Sequence, residues 1–187
     1  MILPIVAFGH PNLRKVSVEI TREYPGLEQF IADMWETMYY SVGVGLAAPQ
    51  VNRQIRLFVI DATPYEKQYP EAAGFKKVFI NAKIIEQRGE EWLYNEGCLS
   101  IPDIHEDVSR PAEVHLTWYD ENFEFHDEWI SGINARVIQH EYDHLEGILF
   151  VDKIHSLRRI MLKRKLTDIS KGDMEVGYKM ILPPKKR

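Results

Sequence analysis

Apolar residues return along this chain with two different periods. Leu27, Phe30, Ile31, Met34 and Met38 recur at i, i+3, i+4, i+7 and i+11, which predicts a helix over about residues 26–40 with one face in the core. Ile133, Val137 and Ile138 repeat the helical spacing, with Ser131 placed to cap the start and Gly147 where a helix usually stops. Leu157, Ile160, Met161, Leu166 and Ile169 give a third helix, about residues 156–170, an inner face. Elsewhere the period falls to two. Residues 113–119 and 123–129 alternate about Asp120-Glu121-Asn122 and predict a hairpin, and shorter strands are expected at 55–60, 78–85 and 91–94. The polar, proline-containing stretch 63–74 reads as an insertion.

The pattern contains no repeat and no break between domains, so residues 1–187 are expected to form one domain, with a tail flexible from about residue 175 and disordered over 183–187. At 45% hydrophobic residues the chain can build a core. A net charge of −5 supplies no global field toward nucleic acid, and no direct DNA binding is expected. The first residues, Met1 to Phe8, lack a basic start and a signal-length apolar run, and no stretch approaches a membrane span. The expectation is a cytoplasmic protein without membrane contact. Its single cysteine, Cys98, excludes an internal disulfide and is left for packing, metal binding or catalysis.

The densest chemistry lies in the middle helix. His140, Glu141 and His144 form H-E-x-x-H, a spacing that turns both imidazoles to one side of a helix with a carboxylate beside them. Two neutral imidazoles can hold a divalent transition metal, and Glu141 can take a proton from a water on it. Ile133 and Val137, on the same side, would wall an apolar pocket nearby. A second stretch, Gly43-Val44-Gly45-Leu46-Ala47-Ala48, satisfies the dinucleotide fingerprint G-x-G-x-x-A, but a helix precedes it and Pro49 breaks the helix that should follow. It reads instead as an extended segment whose glycines admit another backbone.

A catalytic metal of this class takes three protein ligands. The histidine that would complete a metzincin pattern is replaced by Phe150; the candidates that remain are Asp152 or one of the acids of the last helix, and Cys98. Cys98 sits between a glycine and a Ser-Pro-containing turn, where a side chain can be presented, although a lone cysteine is by default a small buried hydrophobe.

Three stretches together carry a family resemblance: residues 43–50 (GVGLAAPQ), 96–100 (EGCLS) and 139–147 (QHEYDHLEG). In that order they resemble the signature motifs of peptide deformylase. The likeness extends from the opening Ile2-Leu3-Pro4-Ile5 through Val108-Ser109-Arg110-Pro111, thins at 63–74 and fades after about Ser170. Val44 stands where the family commonly has isoleucine.

The resemblance implies an α+β fold, antiparallel strands wrapped around a central helix that carries H-E-x-x-H, with a further C-terminal helix. It implies a hydrolase acting on N-formylmethionyl peptides of nascent chains and releasing formate. Cys98, His140 and His144 would hold one divalent metal, Fe(II) by family habit, with Zn, Ni or Co also suited to that donor set. Glu141 would be the base, and Gln50 and the Leu99 N–H would meet the oxyanion. Val44, Gly45, Glu96, Gly97, Ile133 and Val137 would bind substrate, and Glu96 would pair with Arg110. Arg158, Arg159, Lys163, Arg164 and Lys165 would dock the last helix on the ribosome, although such charge runs are ordinarily a solvated face. Two rivals differ in testable ways: a metallopeptidase with a carboxylate as third ligand, and a structural metal closed by His105 or His126.

Overall fold

The computed structural model describes residues 1–184. Ten elements follow in order: β1 (Ile5–Val6), α1 (Leu27–Tyr40), β2 (Gly45–Ala47), β3 (Leu57–Asp61), β4 (Lys76–Cys98), β5 (Ile101–Tyr119), β6 (Phe125–Ser131), α2 (Gly132–Leu145), α3 (Ser156–Lys171) and β7 (Met180–Ile181), with short 3-10 turns between some of them. Strands β2 to β6 form one antiparallel sheet in sequence order, while β1 and β7 pair in parallel as a separate ribbon. The class is the α+β expected.

Residues 78–85 and 91–94, read as two strands, belong to one long β4. It pairs with β5 along almost its whole length, and the register shifts at four places, including Arg88/Glu91 and Gly97/Cys98. Each irregularity adds local twist. The long hairpin can therefore bend around α2, which a flat one could not. Buried Ile133, Ala135, Val137, Ile138 and Leu145 of α2 pack with Phe58, Phe79, Leu116 and Trp118 of the sheet in one cluster.

Two local expectations fail for identifiable reasons. Ser131 occupies the N-cap of α2, yet its side chain makes no capping bond. Glu71, from the presumed insertion, takes that place: its Oε1 accepts the Ile133 N–H at 3.1 Å, and its carbonyl accepts from Asn134 Nδ2 at 2.7 Å. The insertion is thus a docked structure, and its Tyr65 and Tyr69 pack edge-on against Tyr94. On α3, Leu157, Ile160 and Met161 are 63–69% exposed, and only Leu162, Leu166 and Ile169 are buried. The first turns of α3 are held by charge, Arg158 to Glu106 and Arg159 to Asp152, so their apolar side chains face outward.

After α3 the tail returns to the body of the protein. Met180 pairs with Ile5 and Ile181 with Val6. Of the segment expected to be disordered, residues 185–187 lie outside the described residues.

Candidate metal centre and its surroundings

Two elements meet at the site, bringing Cys98 to His144 across 46 residues of chain. Cys98 is the last residue of β4, and the register shift between Gly97 and Cys98 re-aims its side chain toward α2. Gly97 lets the His105 ring lie close, since a Cβ there would stand 2.6 Å from it and the ring would have to move. Donor atoms of Cys98, His140 and His144 all lie within 4.8 Å of one another, and Cys98 Sγ is 3.4 Å from His144 Nε2. A tetrahedral cation bound by sulfur and imidazole has an S to N edge of about 3.5 Å from the usual bond lengths. One thiol and two imidazoles at this separation fit a divalent transition metal.

One of the three, His140, is held by a buried ionic cluster, whereas among the described residues His144 Nδ1 has no hydrogen-bond partner. Glu96 Oε1 accepts from Arg110 Nε at 2.7 Å and Arg136 at 2.9 Å; Oε2 accepts from Arg110 at 3.0 Å and faces His140 Nδ1 at 2.9 Å. Burial pushes the Glu96 carboxyl up, but His140 and Arg110 outweigh it and hold the acid well below its ordinary range. An ionised Glu96 has no proton to give, so His140 Nδ1 donates and Nε2 is left with its lone pair for a metal. Burial pushes His144 well below its ordinary value, which keeps that ring neutral. Burial depresses His140 as well, but Cys98 and Glu96 outweigh it and hold that ring well above its ordinary value, so a metal taking Nε2 would displace a proton there.

Glu141 is 4% exposed, and among the described residues its Oε2 has no hydrogen-bond partner. Burial lifts its carboxyl to about 7. Such an acid can accept and return a proton near neutrality. Gly45 makes room for it, because a Cβ at that position would overlap the carboxylate. The closest approach to these glycines is by side chains, Glu141 at Gly45 and Leu99 at Gly43, with the Gly45 carbonyl also 3.4 Å from a Cβ at Gly43.

Gln50 is almost fully buried in the short turn after β2. Its Oε1 accepts the Ala47 N–H at 2.8 Å, which turns Nε2 outward, 3.4 Å from Cys98 Sγ and 3.3 Å from Ser100 Oγ. A cleft of about 490 Å³ opens over these groups, lined by Val44, Gly45, Gln50, Glu96, Gly97, Cys98, Leu99, Val137, His140 and Glu141 among others. Ile133 does not line it; the side chain is wholly buried beside Val137.

Other candidates fall elsewhere. Asp152 is held by Arg14 and by the Leu149 amide, and His126 pairs with Asp120 at 2.8 Å. His105 lines the cleft but is not part of the donor group. Among the described residues no fourth protein ligand closes the shell, and no carboxylate takes the place of Cys98.

Sequence reasoning missed three participants. Arg136 is 2% exposed, donates to Glu96 and stacks 4.6 Å over Trp92; its position one turn before His140 was the available signal, since a helix repeats its face every four residues. Asp143, which binds Arg110 at 2.7 Å, sits inside the motif itself. Tyr178 lines the cleft from a tail with no local pattern.

The polypeptide deformylase family model matches residues 2–160. Peptide deformylases of Flavobacterium psychrophilum and Christiangramia forsetii are 54% and 52% identical to this chain, each over all of it and over 100% and 99% of the relative. Among solved structures, a peptide deformylase from Legionella pneumophila superposes with a TM-score of 0.80 at 34% identity, covering 92% of this chain and 98% of its own. A Met-Ala-Ser bound peptide deformylase from Acinetobacter baumannii gives 0.74 at 32% identity, covering 82% and 99%.

Proposed function

The chain belongs to the polypeptide deformylase family, and on that premise we propose that Cys98, His140 and His144 hold one catalytic divalent metal while Glu141, Gln50 and Leu99 carry the chemistry beside it. The enzyme is a metal-dependent hydrolase that removes N-formyl groups from nascent polypeptides. The observation that carries the assignment of roles is a thiol and two imidazoles within 4.8 Å of one another beside a buried carboxylate whose Oε2 has no partner among the described residues.

When bound, the cation supplies Lewis acidity, polarising the formyl oxygen and making water more acidic. Glu141 takes a proton from the attacking water as the C–O bond forms at the formyl carbon. Charge that develops on the formyl oxygen is met by the Gln50 Nε2–H and the Leu99 N–H. Glu141 then returns its proton to the amine as the C–N bond breaks, and formate leaves.

Substrate positioning rests on the edge strand. β2 ends the five-stranded sheet, so an extended peptide can add along Val44 and Gly45. Its methionine side chain then enters the cleft against Val44 and Val137, and Glu96 and Gly97 complete the wall. Glu96, its carboxylate committed to Arg110, Arg136 and His140, supports the ligand and lets the cleft keep its shape.

Fe(II) is the metal we assign, with Zn, Ni or Co compatible with the same donors. A partly exposed thiolate beside ferrous iron makes activity sensitive to air and peroxide. We place the enzyme in the cytoplasm, where nascent chains emerge, and the exposed Lys163, Arg164 and Lys165 of α3 support docking on the ribosome. No described helix is long and apolar enough to cross a membrane. Residues 1–187 act as one catalytic domain.

Formate release from a formyl-Met peptide under argon, with protein loaded with Fe(II), tests the reading. Glu141→Ala is expected to keep its metal and lose turnover by about 10²–10⁴-fold. Wild-type turnover in that variant, or full activity after exhaustive chelation, would refute it. Pelleting with ribosomes, comparing wild type with a variant in which the three cations are reversed, tests the docking surface.

A further inference from the structure

Residues 173–182 lie beyond the stretch that the family model matches, yet they reach the reacting centre. After Gly172 the chain turns back; Glu175, Val176, Gly177 and Tyr178 form one wall of the cleft. Met174, Met180 and Ile181 anchor this return by packing into the cluster that also contains Ile101 and, at its margin, Cys98. Strand β1 joins the two parts. Its Ile5 N–H donates to Lys179 O at 2.8 Å and Ala7 N–H to Ile181 O at 2.9 Å, while Phe8 N–H donates to Ser100 O at 2.9 Å. The tail and the turn after Cys98 are therefore tied to the same ribbon.

One polar contact crosses from that wall. The Tyr178 hydroxyl donates to the Leu99 carbonyl at 2.8 Å. We propose that Tyr178 is a positioning residue for the Leu99 backbone, and that the C-terminal return thereby sets the direction of the amide which meets the oxyanion. The proposal rests on the role given to Leu99 above. Leu99 and Ser100 form the two-residue link between paired Cys98 and Ile101. The Leu99 carbonyl lies in the 99–100 peptide plane and its N–H in the 98–99 plane, joined through φ and ψ of residue 99; with Cys98 and Ile101 held in the ladder, fixing the first plane narrows the range left to the second. Burial pushes the Tyr178 phenol up to about 12, so it stays a donor at any working pH.

Tyr178→Phe keeps the ring in the wall and deletes the donor. In zinc-loaded protein, which is diamagnetic, the order parameter of the Leu99 N–H is expected to fall from the rigid range of about 0.85. Turnover of a formyl-Met-Ala-Ser peptide should show kcat reduced about two- to tenfold, the worth of one neutral hydrogen bond, with KM and melting temperature close to wild type. A Leu99 order parameter equal to that of wild type overturns the proposal whatever the rate. A lowered order parameter with unchanged kcat overturns the second half of the proposal, since it leaves the anchor but removes Leu99 from the oxyanion site.

Discussion

Glu96 and His140, 44 residues apart, face each other at 2.9 Å through Oε2 and Nδ1, and this contact decides which imidazole nitrogen can bind a metal. The same carboxylate neutralises Arg110 and Arg136, both almost fully buried. Cations that deep are tolerated only when paired, so the pocket's shape and the tautomer of His140 depend on one side chain.

Glu96→Ala removes the carboxylate shared by two buried guanidinium groups, leaving Arg110 its contact with Asp143 and Arg136 only backbone carbonyls. Stability should fall by about 3–5 kcal/mol, as for other broken buried pairs, and metal affinity by about 10–100-fold. Urea unfolding and a metal titration measure the two effects separately; loss of neither would show that His140 is oriented by something else.

Gly45→Ala places a methyl group where the Glu141 carboxylate lies. Displacement of a reacting group by about 1 Å can cost about 10²-fold in rate. The expected result is a drop in kcat on that scale with a full complement of metal, read by formate release and by metal analysis of the same sample.

Glu71→Ala removes the acceptor at the start of α2, where Ser131 makes no side-chain cap. Loss of a helix cap costs about 1 kcal/mol, so the urea midpoint should shift down by that equivalent. Ser131→Ala should leave the midpoint where it is.

Asp152 links the turn after α2 to Arg14. Burial raises its carboxyl, but the Arg14 guanidinium and the Leu149 amide outweigh burial and hold it below the ordinary value. A depressed folded pKa stabilises the protein above the unfolded value of about 3.9, and that stabilisation is lost as pH falls further. Asp152→Asn should therefore melt below wild type at pH 7, and the gap should close progressively below about pH 4. A gap that is constant with pH would assign the effect to packing.

Much of this was legible in the chain because it is local. A helix fixes the i, i+4 relation of His140 and His144, and period-two alternation announced the hairpin of β5 and β6. Local pattern was least informative where an element touches only part of its neighbour. Leu157, Ile160 and Met161 carry helical spacing yet face outward, because the charges of Arg158 and Arg159 seat that end of α3.

By itself, the sequence determined the H-E-x-x-H helix, its apolar side and the three motifs that mark the family. Tertiary structure alone decided that a slip in the ladder at Gly97 and Cys98 turns the sulfur toward that helix, that Arg136 and Glu96 share one buried charge cluster, and that Tyr178 comes back to Leu99. Spacing within a helix follows from backbone geometry over one turn, whereas these meetings depend on bulges and packing summed over dozens of residues.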